Sequence, residues 1–330
     1  MQKITRIAYN ETDWHHPTGD AAKQEMAGSY NSVNGFGHED WLFREEWQID
    51  GWRYAFIQGV GHSRAKLVRE RRPFDVTLFT VQPDKRRRYV AYIEYAECLD
   101  DTQADDALAI FKKNGWYATM EQEIRDVQGD VSAFGNAKWA THVLNVRFRL
   151  ENVHRFPRDT FADVGDPVHT LNRYVLSDVS RLRTKFEQIS GRNGSIDFPS
   201  TTAYTRSGSG PISVSPEHAR IQSVLMKELR EAFPNGRVVR EENFIDVLVE
   251  TNDEVRLYEI KSDLAPRTVL RLAIGQLLEY SYPYLRSGGD SRRVTLIAVG
   301  RNELSDDDAV YLSHLRDQIG LPLEYRVVSV

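Results

Sequence analysis

The hydrophobic pattern in the first half of the chain is that of β-structure with inserted helices. Runs of β-branched and aromatic residues predict strands at 74–82, 88–97 and 142–150. Between the last two strands, an apolar stripe that begins after polar residues and ends at a glycine predicts a helix over 100–115. A second helix is predicted over 118–127. Residues 1–155 are therefore expected to form an α+β domain, and a small barrel with inserted helices is one arrangement that fits.

The pattern changes after a stretch rich in Gly, Ser, Thr and Pro. A helix is predicted to end near Ile189, and the stretch 191–215 has the composition of an interdomain linker. Residues 156–214 are therefore predicted to be a helical connector and linker. The domain that follows spans 215–330.

This last domain alternates between helical and strand periodicity. Helices are predicted at 215–233, 265–285 and 306–320. Strands are predicted at 237–242, 244–251, 255–262, 294–300 and 323–330. The order helix, three strands, helix, strand, helix, strand predicts an α/β domain with a mixed sheet flanked by helices.

Composition narrows the class of protein. A length of 330 residues favours about two domains, and 41% hydrophobic with 28% charged residues indicates a packed globular chain. The net charge of -5 means that nucleic-acid binding would require local basic patches. The single cysteine, Cys98, excludes a disulfide within the chain and is expected to be buried. No apolar run is long enough to span a membrane, so a soluble, non-secreted, cytoplasmic protein is expected.

Two carboxylates and a lysine are predicted to meet on adjacent strands of the last domain. Glu259 and Lys261 lie at positions i and i+2 of a strand and therefore point to one face, and Asp246 on the neighbouring strand can reach them. The two carboxylates and the Ile260 carbonyl are hard oxygen ligands that suit Mg²⁺, for which Mn²⁺ is expected to substitute. A lysine beside the metal can position the attacking water and stabilise phosphate charge.

This arrangement resembles the PD-(D/E)XK nuclease superfamily, in which an Asp follows a helix and a strand, and a second strand carries (D/E)-x-K before another helix. The similarity covers roughly 215–300. The strict Pro-Asp pair is absent, because Ile245 precedes Asp246. Several branches carry Gln-x-x-x-Tyr on the next helix, and Gln276 and Tyr280 match that spacing on one helical face.

The resemblance implies a Mg²⁺-dependent endonuclease that hydrolyses DNA phosphodiester bonds and leaves a 5′-phosphate. It assigns catalytic roles to Asp246, Glu259 and Lys261, assisted by Gln276 and Tyr280. A further acidic contact used by some members matches Glu217. On the same helix His218 and Gln222 are rivals for that place, and Glu217 is also explained as an ordinary acid near a helix N-terminus.

The first domain contains a Gly-flanked loop with polar and aromatic side chains. All six tryptophans lie between Trp14 and Trp139, and an alternating strand is predicted across 54–59. Aromatic rings can stack on an extruded base, and polar side chains can read its edge. The candidate substrate-binding residues in this region are Asn34, Phe36, His38, Asp40, Trp41, Trp47 and Trp52. The rings as plain core, and His38 and Asp40 as turn caps, are the alternatives.

Basic residues cluster nearby despite the acidic total. Arg86 and Arg87, in the run 85–88, are candidates for phosphate contacts, with a solvated hairpin tip as the alternative. An aromatic-rich module joined by a linker to a nuclease resembles modification-dependent restriction endonucleases, whose base-flipping readers are often PUA-like (SRA, EVE or ASCH types). The resemblance implies double-stranded DNA as partner, and a homodimer, because two strand breaks need two active sites.

Three rival functions remain open. A repair or mobile-element nuclease would read DNA structure rather than a modified base. A non-catalytic nucleic-acid-binding protein could use a nuclease scaffold without cleaving. A small-molecule-binding protein would use the Trp-rich region as its pocket.

Overall fold

The computed structural model describes residues 2–19, 22, 28–135, 139–180, 216–242, 245–286 and 292–330. The chain divides into two compact units, Met1–Ser213 and Val214–Val330. The linker predicted over 191–215 and the helix end predicted near Ile189 lie outside the described residues. In the part of the chain that is described, no helix is both long and apolar enough to cross a bilayer.

The first unit is built on one large mixed sheet. Its strands are β1 (Gln2–Ile7), β2 (Gln48–Ile49), β3 (Trp52–Ala55), β4 (Phe74–Val81), β5 (Arg87–Cys98), β6 (Val146–Arg149), β7 (Val153–Arg155) and β8 (Ser177–Asp178). They pair in the order β2-β3-β6-β5-β4-β1-β8, and β7 also pairs with β5. β1 runs parallel to β4, whereas the other pairs are antiparallel.

The strand order of this sheet is open. β2 and β8 stand at its two ends and do not pair with each other, so the described strands do not form the barrel that the sequence suggested. The predicted strands at 74–82 and 88–97 are confirmed as β4 and β5. The strand predicted at 142–150 is shorter, because a 3₁₀ turn occupies Ala140–His142 and β6 begins only at Val146.

Helices fill the connections of the first unit. Among the described residues these helices are α1 (Tyr30–Asn34), α2 (Gln58–Glu70), α3 (Asp101–Lys113), α4 (Trp116–Asp126) and α5 (Val131–Gly135). α3 begins with a capping box, in which the Asp100 carboxylate accepts from the Gln103 N–H at 2.8 Å and the Gln103 side chain accepts from the Asp100 N–H at 2.9 Å. α3 and α4 confirm the helices predicted over 100–115 and 118–127.

The strand predicted across 54–59 is wrong in its second half. β3 ends at Ala55, and α2 starts at Gln58. Between them, the buried Asn145 side chain accepts from the Ile57 N–H at 2.9 Å and donates to the Ile57 carbonyl at 3.0 Å. The Asn145 side chain therefore bonds the Ile57 N–H and carbonyl that a neighbouring strand would otherwise bond. The strand ends there, and the helix α2 begins.

The second unit is a five-stranded mixed sheet with helices on both faces. Its strands are β9 (Arg237–Glu242), β10 (Ile245–Glu250), β11 (Glu254–Ile260), β12 (Arg293–Gly300) and β13 (Leu323–Val327). They pair in the order β13-β12-β11-β10-β9, with β11, β12 and β13 parallel and β9, β10 and β11 antiparallel. The helices are α6 (Pro216–Ala232), α7 (Pro266–Arg286) and α8 (Asp306–Asp317).

The two faces of this sheet carry separate apolar clusters. Ile221 and Leu225 of α6 pack in one cluster with Val247 and other residues of β10 to β12. α7 and α8 pack on the opposite face, where Leu270 lies in the cluster that contains Leu257 of β11. The mixed sheet flanked by helices, and the predicted order of its elements, are confirmed.

Candidate active site

The Asp246 carboxylate lies near the start of β10, where α6 and β11 both contact it. Its Oδ2 accepts a hydrogen bond from the Ile260 N–H at 2.7 Å, and its Oδ1 lies 3.2 Å from His218 Nε2. The Gln222 side chain donates to the backbone carbonyl of Asp246 at 2.8 Å. The orientation of Asp246 is therefore fixed through both its side chain and its backbone.

Glu259 is a buried carboxylate on β11. It is 3% exposed, and its Oε1 accepts from Lys261 Nζ at 2.8 Å. Its Oε2 is buried and has no hydrogen-bond partner among the described residues. The pKa of Glu259 is raised to about 7, mainly by burial; Lys261 lowers it in part, and the nearby Asp246 adds to the rise. A second cation beside Oε2 would favour the charged form of this carboxylate.

Lys261 follows the last residue of β11 and continues its ladder. Its N–H donates to the Val299 carbonyl at 2.9 Å, which keeps Lys261 on the same face as Glu259. Its Nζ donates to Gln276 Oε1 at 2.6 Å, and Gln276 Nε2 donates to the Tyr280 hydroxyl at 3.3 Å. The side chains that the sequence predicted to share a face of α7 thus extend a hydrogen-bonded chain from Glu259.

The Glu217 carboxylate forms an ion pair with a buried arginine, Arg301. Its carboxylate lies 2.9 Å from Arg301 Nη1, and both side chains are buried. Its neighbour His218 is the α6 residue whose ring reaches the Asp246 carboxylate. Adjacent residues of a helix point about 100° apart, so the sequence alone could not decide which of the two faces the site.

The donor set fits Mg²⁺ by its chemistry. The described residues contain no group of three or more His, Cys, Asp or Glu side chains arranged to hold a metal ion. Mg²⁺ commonly binds through one or two carboxylates and takes its other ligands from water and phosphate. Asp246 and Glu259 supply two carboxylates, and the buried, unpartnered Oε2 of Glu259 is an oxygen that a cation would satisfy.

The aromatic residues predicted to stack on a base are core residues instead. Phe36, Trp41, Trp47 and Trp52 are at most 4% exposed and belong to one apolar cluster. Arg147 lies over the Trp52 ring at 4.3 Å and Arg149 at 4.2 Å, so cations already cover it. Each of the four rings therefore packs in the core of the first unit and contributes to its stability, and none of them stands open to stack on a base.

The Trp47 and Trp41 rings have further partners that explain their burial. Trp47 stacks on Trp116 of α4 with ring centroids 6.1 Å apart. The Trp41 indole donates to Glu123 Oε2, also of α4, at 2.6 Å. These contacts attach α4 to the loop that the sequence singled out.

The polar residues of the same loop also have structural partners. Asp40 is buried; it accepts from the Gly37 N–H at 2.8 Å and from the Asn10 side chain at 3.0 Å, so it caps a turn. The His38 ring stacks on Phe134 at 5.6 Å, and its Nε2 lies 3.1 Å from the hydroxyl of Tyr30. Burial lowers the pKa of His38 to about 4, so the ring is neutral at physiological pH.

Asn34 and the two arginines complete the predicted set. Asn34 at the end of α1 donates to the Tyr30 carbonyl at 2.9 Å. Arg86 is exposed and bound to Asp84 at 2.7 Å. Arg87 donates to the His169 carbonyl at 3.1 Å and to the Asn172 side chain at 2.8 Å. Both arginines therefore have acceptors within the protein.

Comparison with protein-family models, curated proteins and solved structures gives no match. The geometry of Asp246, Glu259 and Lys261 is therefore the basis for a functional assignment.

Proposed function

We propose that this protein is a Mg²⁺-dependent DNA endonuclease whose active site is formed by Asp246, Glu259 and Lys261. The observation that carries the proposal is the convergence of two carboxylates and one lysine at the ends of β10 and β11, with Glu259 Oε2 buried and unpartnered. A buried carboxylate with one unpartnered oxygen and a raised pKa is the kind of group that clusters at functional sites.

Each side chain has a role in this proposal. Asp246 and Glu259 would hold the metal, and the Ile260 carbonyl is the third ligand that the sequence resemblance implies. When bound, Mg²⁺ would neutralise charge at the scissile phosphate as a Lewis acid. Lys261 Nζ, held by Glu259 and Gln276, donates to the phosphate or to the attacking water.

Metal removal and replacement of Lys261 test this assignment together. Duplex DNA is incubated with the full chain in Mg²⁺ or in EDTA, and the wild type is compared with Lys261→Ala and with Lys227→Ala. Lys227 is exposed on α6 and serves as the matched control. Cleavage in Mg²⁺ by the wild type and by Lys227→Ala, with a loss of at least roughly a hundredfold in Lys261→Ala, is expected.

The substrate panel separates the rival functions. It contains unmodified duplex, duplexes methylated at cytosine or adenine, hydroxymethylated duplex and branched DNA. Cleavage of one modified duplex alone supports a modification-dependent enzyme whose reader uses residues other than the buried rings. Cleavage confined to branched DNA favours a nuclease that reads structure. Binding without any Mg²⁺-dependent cleavage would show that the protein binds DNA without hydrolysing it and would remove the proposal.

A further inference from the structure

Three arginines surround one carboxylate in the first unit. Asp13 Oδ2 accepts from Arg158 Nε at 3.1 Å, whereas its Oδ1 lies 3.9 Å from Arg88 Nη2 and 3.8 Å from Arg155 Nη2. Arg88, Arg155, Arg158 and Asp13 are called the arginine cluster below. With three positive charges against one negative charge, the cluster carries an excess of positive charge.

Two guanidinium groups of the arginine cluster have no hydrogen-bond acceptor among the residues that the structure describes. The Arg88 and Arg155 nitrogens nearest to Asp13 lie 3.9 Å and 3.8 Å from its Oδ1, which is beyond hydrogen-bond distance. The Arg88 side chain is only 8% exposed, and its Nε is buried without a partner. Buried polar groups normally have partners, and an unpaired charged donor is costly. An acceptor from outside the chain would satisfy the buried Arg88 guanidinium, and the partly exposed Arg155 guanidinium beside it could share that acceptor.

Aromatic rings hold both guanidiniums in place. Arg88 lies over the Trp14 ring at 5.5 Å, and Arg155 lies over the Phe43 ring at 3.9 Å. The two rings contact each other edge to face at 6.3 Å. Stacking on a ring leaves the edge of a guanidinium, which carries its N–H groups, free to meet a planar or tetrahedral oxyanion.

The turn that carries Asp13 is built by a buried asparagine. Asp13 and Trp14 both adopt left-handed backbone conformations, with φ of 53° and 62°. The Asn10 side chain accepts from the Thr12 N–H at 2.8 Å and from the Trp14 N–H at 2.9 Å, and it donates to Asp40. Asp40, which the sequence placed in a base-reading loop, is thereby connected to the turn of the arginine cluster.

The charges of the cluster repel one another. Burial is the main cause that lowers the pKa of Arg88, and Arg158 lowers it further, although Asp13 raises it. Burial also lowers the pKa of Arg155 to about 10; Asp13 and Glu45 raise it, and Arg88 and Arg158 lower it. One bound anion would reduce this repulsion.

We propose that the arginine cluster binds a phosphate group of the DNA backbone. A phosphate presents several acceptor oxygens on one charged centre, and arginine forks pair with it through charge-assisted hydrogen bonds. A contact to a phosphate carries no information about the base, so the contact is expected to be independent of sequence. This inference rests on the proposed function only for the choice of DNA as the source of the phosphate.

Binding of a fluorescent duplex to the full chain in EDTA, measured by anisotropy over a range of KCl concentrations, tests the inference without cleavage. Arg158→Ala is the main variant, because its side chain is 74% exposed and its loss should leave the fold intact. Arg155→Lys keeps the positive charge but removes the planar guanidinium, which can donate two parallel hydrogen bonds to one phosphate. Arg125→Ala, an exposed arginine of α4 beside Glu121, is the matched control. Thermal unfolding in sodium phosphate and in sodium chloride of equal ionic strength measures capture of free phosphate.

Arg158→Ala removes one positive charge from the cluster and leaves Asp13 to offset Arg88 and Arg155. It is therefore expected to weaken duplex binding roughly fivefold for every sequence tried and to lower the salt slope by about 0.9, which corresponds to one phosphate fewer neutralised. Arg155→Lys should weaken binding less, and Arg125→Ala should not change it. Unchanged duplex binding, with phosphate stabilising the wild type but not Arg158→Ala, would overturn DNA as the occupant and assign a free phosphate. If Arg158→Ala matches the wild type both in duplex binding and in stabilisation by phosphate, the proposed phosphate site is refuted. If the chain binds DNA through this cluster but never cleaves it, the proposed nuclease activity is refuted and the phosphate site is supported.

Discussion

Replacement of Glu259 by glutamine is expected to stabilise the metal-free second unit above neutral pH. The pKa of this buried carboxyl rises from the ordinary 4.5 to about 7 in the folded chain. A group whose pKa is raised on folding contributes stability below its unfolded pKa and loses it as the pH rises through the folded value. The wild type should therefore lose stability between pH 4.5 and pH 7, whereas glutamine stays neutral throughout.

The size of the effect follows from the same shift. At about 1.4 kcal/mol per pKa unit, the charged carboxylate costs the folded state up to about 3 kcal/mol above pH 7. Glutamine keeps an oxygen that can accept from Lys261 Nζ, so the contact at 2.8 Å has a substitute. Mg²⁺ should stabilise the wild type by about 2.7 kcal/mol at a hundredfold excess over its dissociation constant. Glu259→Gln should gain much less.

Hydrogen exchange of peptides covering β10 and β11 is the appropriate assay. All six tryptophans lie between Trp14 and Trp139, so tryptophan fluorescence would report on the first unit only. At pH 8 in EDTA, Glu259→Gln should exchange up to about a hundredfold more slowly than the wild type, and the difference should disappear at pH 4.5. Glu231→Gln, at an exposed position of α6, is the control. Faster exchange in Glu259→Gln at pH 8, or equal protection of both proteins by Mg²⁺, would refute the reasoning.

Three further outcomes are expected. Glu97→Gln should destabilise the first unit by about 3 to 5 kcal/mol in urea unfolding, because it leaves Arg147, whose contact to Glu97 is 2.7 Å, without its buried carboxylate; a loss under 1 kcal/mol would contradict this. The folded pKa of His38 lies below its ordinary value, so the wild type should become less stable as the pH falls from 6.5 to about 4. His38→Phe has no group that titrates there and should not show this decrease. Parallel plots of unfolding free energy against pH for the two proteins would contradict this expectation. Gln276→Leu should slow single-turnover cleavage roughly tenfold with little change in KM, because the contact between Gln276 and Lys261 Nζ at 2.6 Å is lost. A change in KM without a change in the cleavage rate would contradict this role of Gln276.

The second unit could be predicted closely because its signals are local. Lys261 and Glu259 share a face through their i, i+2 spacing, and Gln276 and Tyr280 share one through their i, i+4 spacing. The structure joins these side chains in one hydrogen-bonded chain. Glu217 is different, because its pairing with Arg301 depends on a residue that is distant in sequence.

The first unit could not be predicted as well, since its decisive contacts are long-range. α2 begins where the Asn145 side chain, 88 residues away, binds the Ile57 backbone. The aromatic loop has the composition of a ligand site, but whether a ring such as Trp52 faces solvent or core is decided by tertiary packing. Arg155 and Asp13, 142 residues apart in sequence, gave no local pattern that would have marked them as neighbours.

The net charge of -5 conceals two local imbalances of opposite sign. In the second unit, Glu259 and Asp246 have more negative charge than Lys261 balances; in the first, Arg88 and Arg155 have more positive charge than Asp13 balances. Charges that their partners compensate only in part destabilise a fold where they are buried, so a chain that retains them is expected to gain stability when the complementary ion binds. A divalent cation and a phosphate are the complementary ions, and both are present where a nuclease meets DNA. If the two imbalances serve one substrate, Mg²⁺ should slow hydrogen exchange in the second unit and phosphate should slow it in the first. The same response to both ions throughout the chain would instead indicate a general salt effect.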